Sequence, residues 1–146
     1  MIISDNEAIL RIKCEDVLIN EIGSLIDTLC LELNYANKLG KSGVGLAASQ
    51  IGIAKNIAII RYSNIELNLI NCKIKKGFDS DIYRQEGCLS FPGRIEDTYR
   101  FQEIYIVNNL IYPNNFIVTG FLSVICQHEI DHLNGVLFFD RKVEKK

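Results

Sequence analysis

Two histidines four residues apart constrain this chain more than any other feature of its sequence. They are His128 and His132, the only histidines in 146 residues, and Glu129 follows the first. On an α-helix, residues i and i+4 point about 40° apart, so both imidazoles can bind one metal ion while the carboxylate reaches water at that ion. The pattern favours a metal-dependent hydrolase over the alternative, two helical histidines held by ordinary hydrogen bonds.

The residues around this pair predict a short buried helix of about four turns. Asn134 and Gly135 supply a C-terminal stop signal. Four apolar side chains lead into the segment: Phe121, Leu122, Val124 and Ile125. The five residues from His128 to His132 by themselves leave the kind of metal site open.

Composition excludes several other classes of protein. The length predicts one domain spanning 1–146, and a net charge of -2 gives no basic surface for specific nucleic-acid binding. The N-terminus has acidic residues where a signal peptide needs basic ones, and no apolar run approaches the ~20 residues of a membrane span. Five cysteines without a CxxC pair predict free thiols. We therefore expect a soluble, cytoplasmic protein without a membrane partner.

The first half of the chain predicts a packing helix and then a glycine-containing loop. Apolar residues at helical spacing fill 20–39, with Cys30 on the packed face as a small buried hydrophobe. In 41–52, Gly43 and Gly45 flank Val44 before a run of small side chains. Such a segment allows close approach by another backbone, so it is interpreted as a substrate-approach loop, with an ordinary surface loop as the alternative.

Strands account for most of the remaining chain. The segments 56–62 and 65–71 predict a hairpin, and 103–107, 116–119 and 136–139 predict further strands. Cys88 is expected in an extended segment near a loop, closed by a turn at Pro92-Gly93. The fold class is therefore α+β, with antiparallel strands packed around a central metal-binding helix and one N-terminal packing helix.

A catalytic metal needs a third protein ligand besides the two histidines. The longer HExxHxxGxxH pattern fails, because Phe138 stands where its third histidine belongs. Cys126 lies two residues before His128, about 200° around the helix from it, and so cannot share the metal. Cys88 is the strong candidate among the rest, since the remaining cysteines are packed or have no glycine beside them: Cys14, Cys30 and Cys72.

Three motifs then occur in one order along the chain. They are GxGLAAxQ at 43–50, EGCLS at 86–90 and QHExDHLxG at 127–135. Together they resemble peptide deformylase, over roughly residues 20 to 141. The resemblance implies a hydrolase that removes the N-formyl group from the initiator formyl-methionine of newly made polypeptides. It also implies that Cys88, His128 and His132 hold the metal.

The resemblance further assigns roles to other residues. Glu129 would take the proton of the attacking water and pass it to the leaving amine. The side-chain amide of Gln50 and the backbone N–H of Leu89 would stabilise the developing oxyanion. Glu86 and Arg100 would form an ion pair that braces the cysteine segment. Substrate contacts fall on two groups, the backbone of Gly43, Val44 and Gly45 and an apolar methionine pocket of Phe121, Val124 and Ile125.

Cofactor and partner expectations come from the same resemblance. The resemblance implies ferrous iron (Fe2+) as the working metal, with Ni2+, Co2+ or Zn2+ as replacements. The softness of the ligands alone does not choose among these ions. We also expect this chain to lack the helical C-terminal extension by which, as the resemblance implies, bacterial relatives dock on the ribosome. Contact with the ribosome is therefore expected to be weak, transient and salt-sensitive through the basic tail.

Two alternatives remain at the level of sequence. One is a small zinc peptidase that uses Cys88 as its third ligand, and the other is a non-catalytic metal-binding fold. A peptidase would cut internal bonds of an unblocked peptide, whereas a deformylase would release formate and leave peptide bonds intact. Glu129 and Gln50 ligate nothing in either scheme, and a purely structural site would not require them.

Overall fold

A computed structural model describes residues 1–108 and 115–144. Its helices are α1 (Glu7–Leu10), α2 (Ile22–Lys38) and α3 (Gly120–Leu133). Its strands are β1 (Gly45–Ala47), β2 (Ile57–Tyr62), β3 (Ile65–Ile70), β4 (Cys72–Cys88), β5 (Phe91–Asn108) and β6 (Asn115–Thr119). Short 3-10 turns occupy Ile19–Glu21, Ala48–Ile51 and Phe138–Arg141. Within the described residues the strands form two antiparallel sheets, ordered β1-β2-β3 and β4-β5-β6.

The first sheet is covered on both faces. Strand β2 pairs with β3 in the predicted hairpin, with Ile57 opposite Ile70. Ala58 and Ile60 pack towards α3, whereas Ile57 and Ile59 pack towards α2. This burial on both faces explains why β2 reads as a continuous apolar run instead of an alternating one.

The second sheet is dominated by a long hairpin, of which the sequence patterns predicted only a strand at 103–107 and an extended segment at Cys88. Strands β4 and β5 have 17 and 18 residues, and much of their surface is exposed. The chain reverses at Leu89-Ser90, where Cys88 pairs with Phe91. The turn predicted at Pro92-Gly93 is therefore wrong: both residues lie inside β5, where Gly93 adopts a φ of +81°.

Helix α3 lies between the two sheets and joins their cores. Its buried side chains Ile125, Cys126, Ile130 and Leu133 pack against residues of β2, β5 and β6. The helix ends at the predicted stop, where Gly135 has a φ of +74° that favours glycine. The α+β class with a central helix is confirmed, and α2 is the predicted packing helix. The short α1 was not predicted.

The strand predicted at 136–139 is wrong. The chain there forms the 3-10 turn Phe138–Arg141, and no described strand is paired with residues 136–139. Asp140 accepts a hydrogen bond from the N–H of Leu137, which holds the turn. Leu137, Phe138 and Phe139 are instead buried in a third cluster with Leu10 and Phe91. None of the helices in the described part of the chain has the length and apolarity needed to cross a membrane.

Candidate metal centre

Three potential ligands from two elements meet at one point. His128 and His132 project from α3, and Cys88 ends β4 at the hairpin turn. One ligand atom from each of the three lies within 4.8 Å of the others. The Cys88 sulfur is 3.2 Å from Nε2 of His132. The predicted third ligand is therefore adjacent to both histidines in space, although about 40 residues of sequence separate them.

These distances fit a tetrahedral metal ion. Metal–sulfur and metal–nitrogen bonds of about 2.3 and 2.1 Å at a tetrahedral angle place sulfur and nitrogen about 3.6 Å apart. The observed 3.2 Å is within a few tenths of an ångström of that value. Burial, followed by the charge of His128, holds the pKa of His132 well below its ordinary value, and a neutral imidazole is the form that binds metal.

His128 is oriented by a carboxylate behind it. Its Nδ1 lies 2.6 Å from Oε2 of Glu86, and a carboxylate can only accept, so Nδ1 donates and Nε2 is left for a metal. Glu86 is buried, and burial raises its pKa. Hydrogen bonds from His128 and Arg100 outweigh that effect and bring the Glu86 pKa to about 2. The predicted ion pair between Glu86 and Arg100 is present, with 2.7 Å between Nη2 and Oε2.

Glu129 faces the same space, and its carboxylate is buried there. The residue is only 3% exposed, and its Oε1 has no hydrogen-bond partner among the described residues. Burial raises the pKa of Glu129 to about 7, with a further contribution from Glu86, although His128 and Arg100 oppose it. A carboxylate with a pKa near neutrality is suited to accept a proton and return it.

Gln50 also approaches the cysteine. Its Oε1 accepts from the N–H of Ala47 at 3.0 Å, which fixes the amide so that Nε2 points towards the site. Nε2 lies 3.1 Å from the Ser90 hydroxyl and 3.6 Å from the Cys88 sulfur. Leu89 follows the cysteine at the hairpin turn and lines the same cavity.

A cavity of about 470 Å³ opens beside these groups. All six residues predicted to contact substrate line it: Gly43, Val44, Gly45, Phe121, Val124 and Ile125. Strand β1 is the edge of its sheet, so its outer side is open to another strand. Phe121 stacks on Tyr83 with 6.0 Å between ring centroids, and Tyr83 also lines the cavity.

Three residues of this region were missed at the level of sequence. Tyr83 lies on a strand that the patterns did not predict, and Thr98, fully buried, donates to Glu86 at 2.7 Å. Asp131 accepts from Arg100 at 2.7 Å. Only Asp131 carried a local signal, because it stands inside the histidine motif. The other two depend on the register of the long hairpin.

Comparisons with known proteins agree with this geometry. The sequence profile of the polypeptide deformylase family matches residues 1–146. The chain belongs to the peptide deformylase family. A member from Aquifex aeolicus is 37% identical over 134 residues, which is 86% of this chain and 76% of that protein. The predicted activity is confirmed: this family member is a metal-dependent hydrolase that removes the N-formyl group from nascent polypeptides.

Solved deformylases share the whole fold. The peptide deformylase of Synechococcus elongatus, crystallised with actinonin, superposes with a TM-score of 0.86 at 33% identity, covering 99% of this chain and 79% of that one. A class I type b deformylase from Acinetobacter baumannii, crystallised with Met-Ala-Ser, gives 0.80 at 28% identity, covering 97% and 96%.

Proposed function

We propose that Cys88, His128 and His132 hold one divalent metal in this chain and that Glu129 is its proton carrier. One observation carries the proposal: the buried Glu129 carboxylate, whose Oε1 has no hydrogen-bond partner in the described part of the chain, lies beside a Cys/His/His cluster at the wall of an apolar cavity. A structural metal site would be closed by a fourth ligand and would not need such a carboxylate.

Ferrous iron (Fe2+) is proposed as the working metal, with Zn2+, Ni2+ or Co2+ able to replace it. One thiolate and two imidazoles suit all four ions, so the donor set supports the site without selecting the ion. When bound, the metal would lower the pKa of a water molecule and polarise the formyl oxygen. Metal analysis of protein purified without oxygen would identify the ion.

The substrate is proposed to bind as an added strand along β1. Peptides that add to an open sheet edge are held by backbone hydrogen bonds, and Gly43, Val44 and Gly45 offer that edge without bulky side chains. The methionine side chain would fill the apolar part of the cavity between Phe121, Val124 and Ile125. Met-Ala-Ser, bound by the Acinetobacter baumannii relative, is the peptide that remains when formyl-Met-Ala-Ser loses its formyl group.

Glu129 takes a proton from the water that attacks the formyl carbon and then delivers it to the departing amine. Charge develops on the formyl oxygen during this attack. Nε2 of Gln50 and the N–H of Leu89 would donate to that oxygen, and one such donor contributes about 3 kcal/mol. Gln50 would exchange its long contact with the Cys88 sulfur for this shorter, charge-assisted bond.

Formate release tests the whole proposal. Iron-loaded protein, kept anaerobic, should release formate from formyl-Met-Ala-Ser and leave its peptide bonds intact. The same protein should not cut the internal bonds of unblocked Met-Ala-Ser. Cleavage of the unblocked peptide would instead support a small zinc peptidase.

We also propose that residues 1–146 act as one catalytic domain in the cytoplasm, where nascent chains emerge. Contact with the ribosome is proposed to be weak, because a net charge of -2 gives little overall attraction to phosphate-rich RNA and only the four basic residues after Asp140 attract it locally. Co-sedimentation with purified bacterial ribosomes should show binding that weakens with added salt. Tight, salt-resistant binding would contradict this.

A further inference from the structure

The Glu86 carboxylate, which binds Nδ1 of His128, has every acceptor position filled. Oε1 of Glu86 accepts from Thr98 at 2.7 Å and from Nε of Arg100 at 2.8 Å. Oε2 accepts from Nη2 of Arg100 at 2.7 Å and from His128 at 2.6 Å. Two oxygens with four bonds are saturated, so the position of Glu86 is set by its donors, above all by the Arg100 guanidinium.

Arg100 is itself held from the far side. Its remaining nitrogen, Nη1, donates to Oδ2 of Asp131 at 2.7 Å. Asp131 in turn accepts two bonds from Arg141, at 3.2 Å from Nε and 3.0 Å from Nη2. The network therefore runs without a gap from Arg141 to Asp131, Arg100, Glu86 and His128.

Charge balance makes Arg141 necessary to this network. Glu86, Asp131 and Arg100 are nearly inaccessible, with side chains 4%, 9% and 3% exposed. Two buried carboxylates share one buried guanidinium, and only Glu86 also faces His128 and the metal site, so Asp131 is left with an uncompensated part of its negative charge. Arg141 removes it, and its own side chain is 48% exposed, so it supplies the second positive charge without full desolvation.

The backbone carries Arg141 back to the strand that holds Arg100. Beyond the 3-10 turn, Lys142 forms a β-bridge with Thr98, and the N–H of Val143 donates to the carbonyl of Asp97 at 2.8 Å. Thr98 and Arg100 both contact Glu86. The segment after the catalytic helix is thus fastened beside two of the donors that set the Glu86 position.

We propose that Arg141 is a positioning residue for the metal site, acting through Asp131, Arg100 and Glu86 to hold the Nδ1–H of His128 and so aim Nε2 at the metal. This inference rests on the proposed ligand set. Without Arg141, Asp131 retains Arg100 as its partner and draws the guanidinium away from Glu86. The His128 ring then loses part of its orientation, and metal affinity falls.

Three variants test this inference. Arg141→Met removes the charge, and Arg141→Lys keeps the charge without the two-pronged hydrogen bond. Arg11→Met is the matched control: Arg11 forms the same kind of paired bond, at 2.9 and 3.0 Å, with Asp140 of the same 3-10 turn, and its side chain is 39% exposed. It does not contact Asp131 or Glu86 among the described residues.

Two measurements separate positioning from stability. The first is Co2+ affinity by chelator competition, together with the visible spectrum of the Co2+ protein. Outer-shell partners of a metal-binding histidine affect affinity by about 10- to 100-fold, so a residue one step further out should affect it about 3- to 10-fold. The second is the Nδ1–H proton signal of His128 in Zn2+ protein, which is readily assigned because the chain has two histidines.

Arg141→Met should weaken Co2+ binding about 3- to 10-fold, change the spectrum and shift the His128 signal. Arg141→Lys should recover part of each effect, whereas Arg11→Met should lower thermal stability alone. Unchanged affinity, spectrum and proton signal in Arg141→Met would overturn the inference; if Arg141→Met does not fold, the same comparison is made with Arg141→Lys. Failure of the unaltered chain to bind metal through His128 would instead overturn the proposed ligand set.

Discussion

A single methyl group at Gly45 should disable the proton carrier without touching a metal ligand. A β-carbon built on Gly45 lies 2.5 Å from Oε2 of Glu129, 3.1 Å from Cδ and 3.2 Å from Cγ. Non-bonded atoms pack best at about 3.5–4.0 Å, so the carboxyl group must retreat by roughly 1 Å. The backbone of Gly45 does not adopt a positive φ, and alanine is therefore tolerated there apart from this contact.

The magnitude follows from the precision that proton transfer requires. A misplacement of about 1 Å at a reacting group costs on the order of 100-fold in rate, or about 2.7 kcal/mol of barrier. Displacing the Glu129 side chain costs energy, because the residue is only 3% exposed on a packed helix. We expect Gly45→Ala to lower kcat for formyl-Met-Ala-Ser about 100-fold. Overpacking should cost about 1–3 kcal/mol of stability.

The assay is formate release, with metal content measured on the same sample. Gly23→Ala is the matched control, since a β-carbon there meets no atom within 4 Å. It should retain full activity and metal. If folded Gly45→Ala keeps its metal and turns over within twofold of the unaltered chain, Glu129 does not need its observed position and the reasoning is refuted.

Other perturbations address the remaining roles. Glu129→Ala should retain the metal and lose nearly all turnover, because it removes the proton carrier and no ligand; metal loss in proportion to activity would count against this role. Cys88→Ser should weaken metal binding sharply, whereas Cys126→Ser should lower stability and keep the metal; equal metal content would disprove the ligand assignment. Phe121→Ala should raise KM for formyl-methionyl peptides more than it lowers kcat, as steady-state kinetics would show. Adding metal at 100 times its Kd should raise the unfolding free energy by about 2.7 kcal/mol over chelated protein, and equal melting temperatures would exclude a folded-state site.

The local spacing of apolar residues was sufficient to predict some elements of this fold. Helix α3 and hairpin β2-β3 each bury a face or a run of apolar side chains. The apolar pattern that results occurs within a few consecutive residues and can be recognised locally. Most of hairpin β4-β5, apart from 103–107, was not predicted, because its strands are largely exposed and contain polar residues at many positions. Exposed strands carry little hydrophobic alternation, so their pairing depends on partners far along the chain.

The same distinction applies to the site. The histidine pair follows from helical geometry alone, whereas Cys88 required elimination and the resemblance. The hydrogen bond from Thr98 to Glu86 and the closure of the network by Arg141 have no local signature. They form only when the β4-β5 register and the 3-10 turn after α3 are both in place. Sequence reasoning therefore reached the ligands and the Glu86–Arg100 pair, and not Thr98 and Arg141, which complete the network around them.

Helix α3 contacts several neighbouring elements at once, and this explains why so many consecutive residues of its motif have a role. Gln127 binds both backbone groups of Phe101, accepting from its N–H and donating to its carbonyl at 2.9 Å each. Asp131, one turn later, accepts from Arg100 on the same strand. Ile130 is buried between the sheets on another face of the helix. The two histidines and Glu129 use the face that remains.

These contacts restrict rotation of the helix about its axis. Side-chain ends lie roughly 6 Å from a helix axis, so a rotation of roughly 10° would move them about 1 Å. That displacement is enough to cost on the order of 100-fold in rate at a catalytic carboxylate. Rotation in either direction also stretches the paired bonds between Gln127 and Phe101. Residues that never meet the substrate thereby keep His128, Glu129 and His132 at the angles that the chemistry requires.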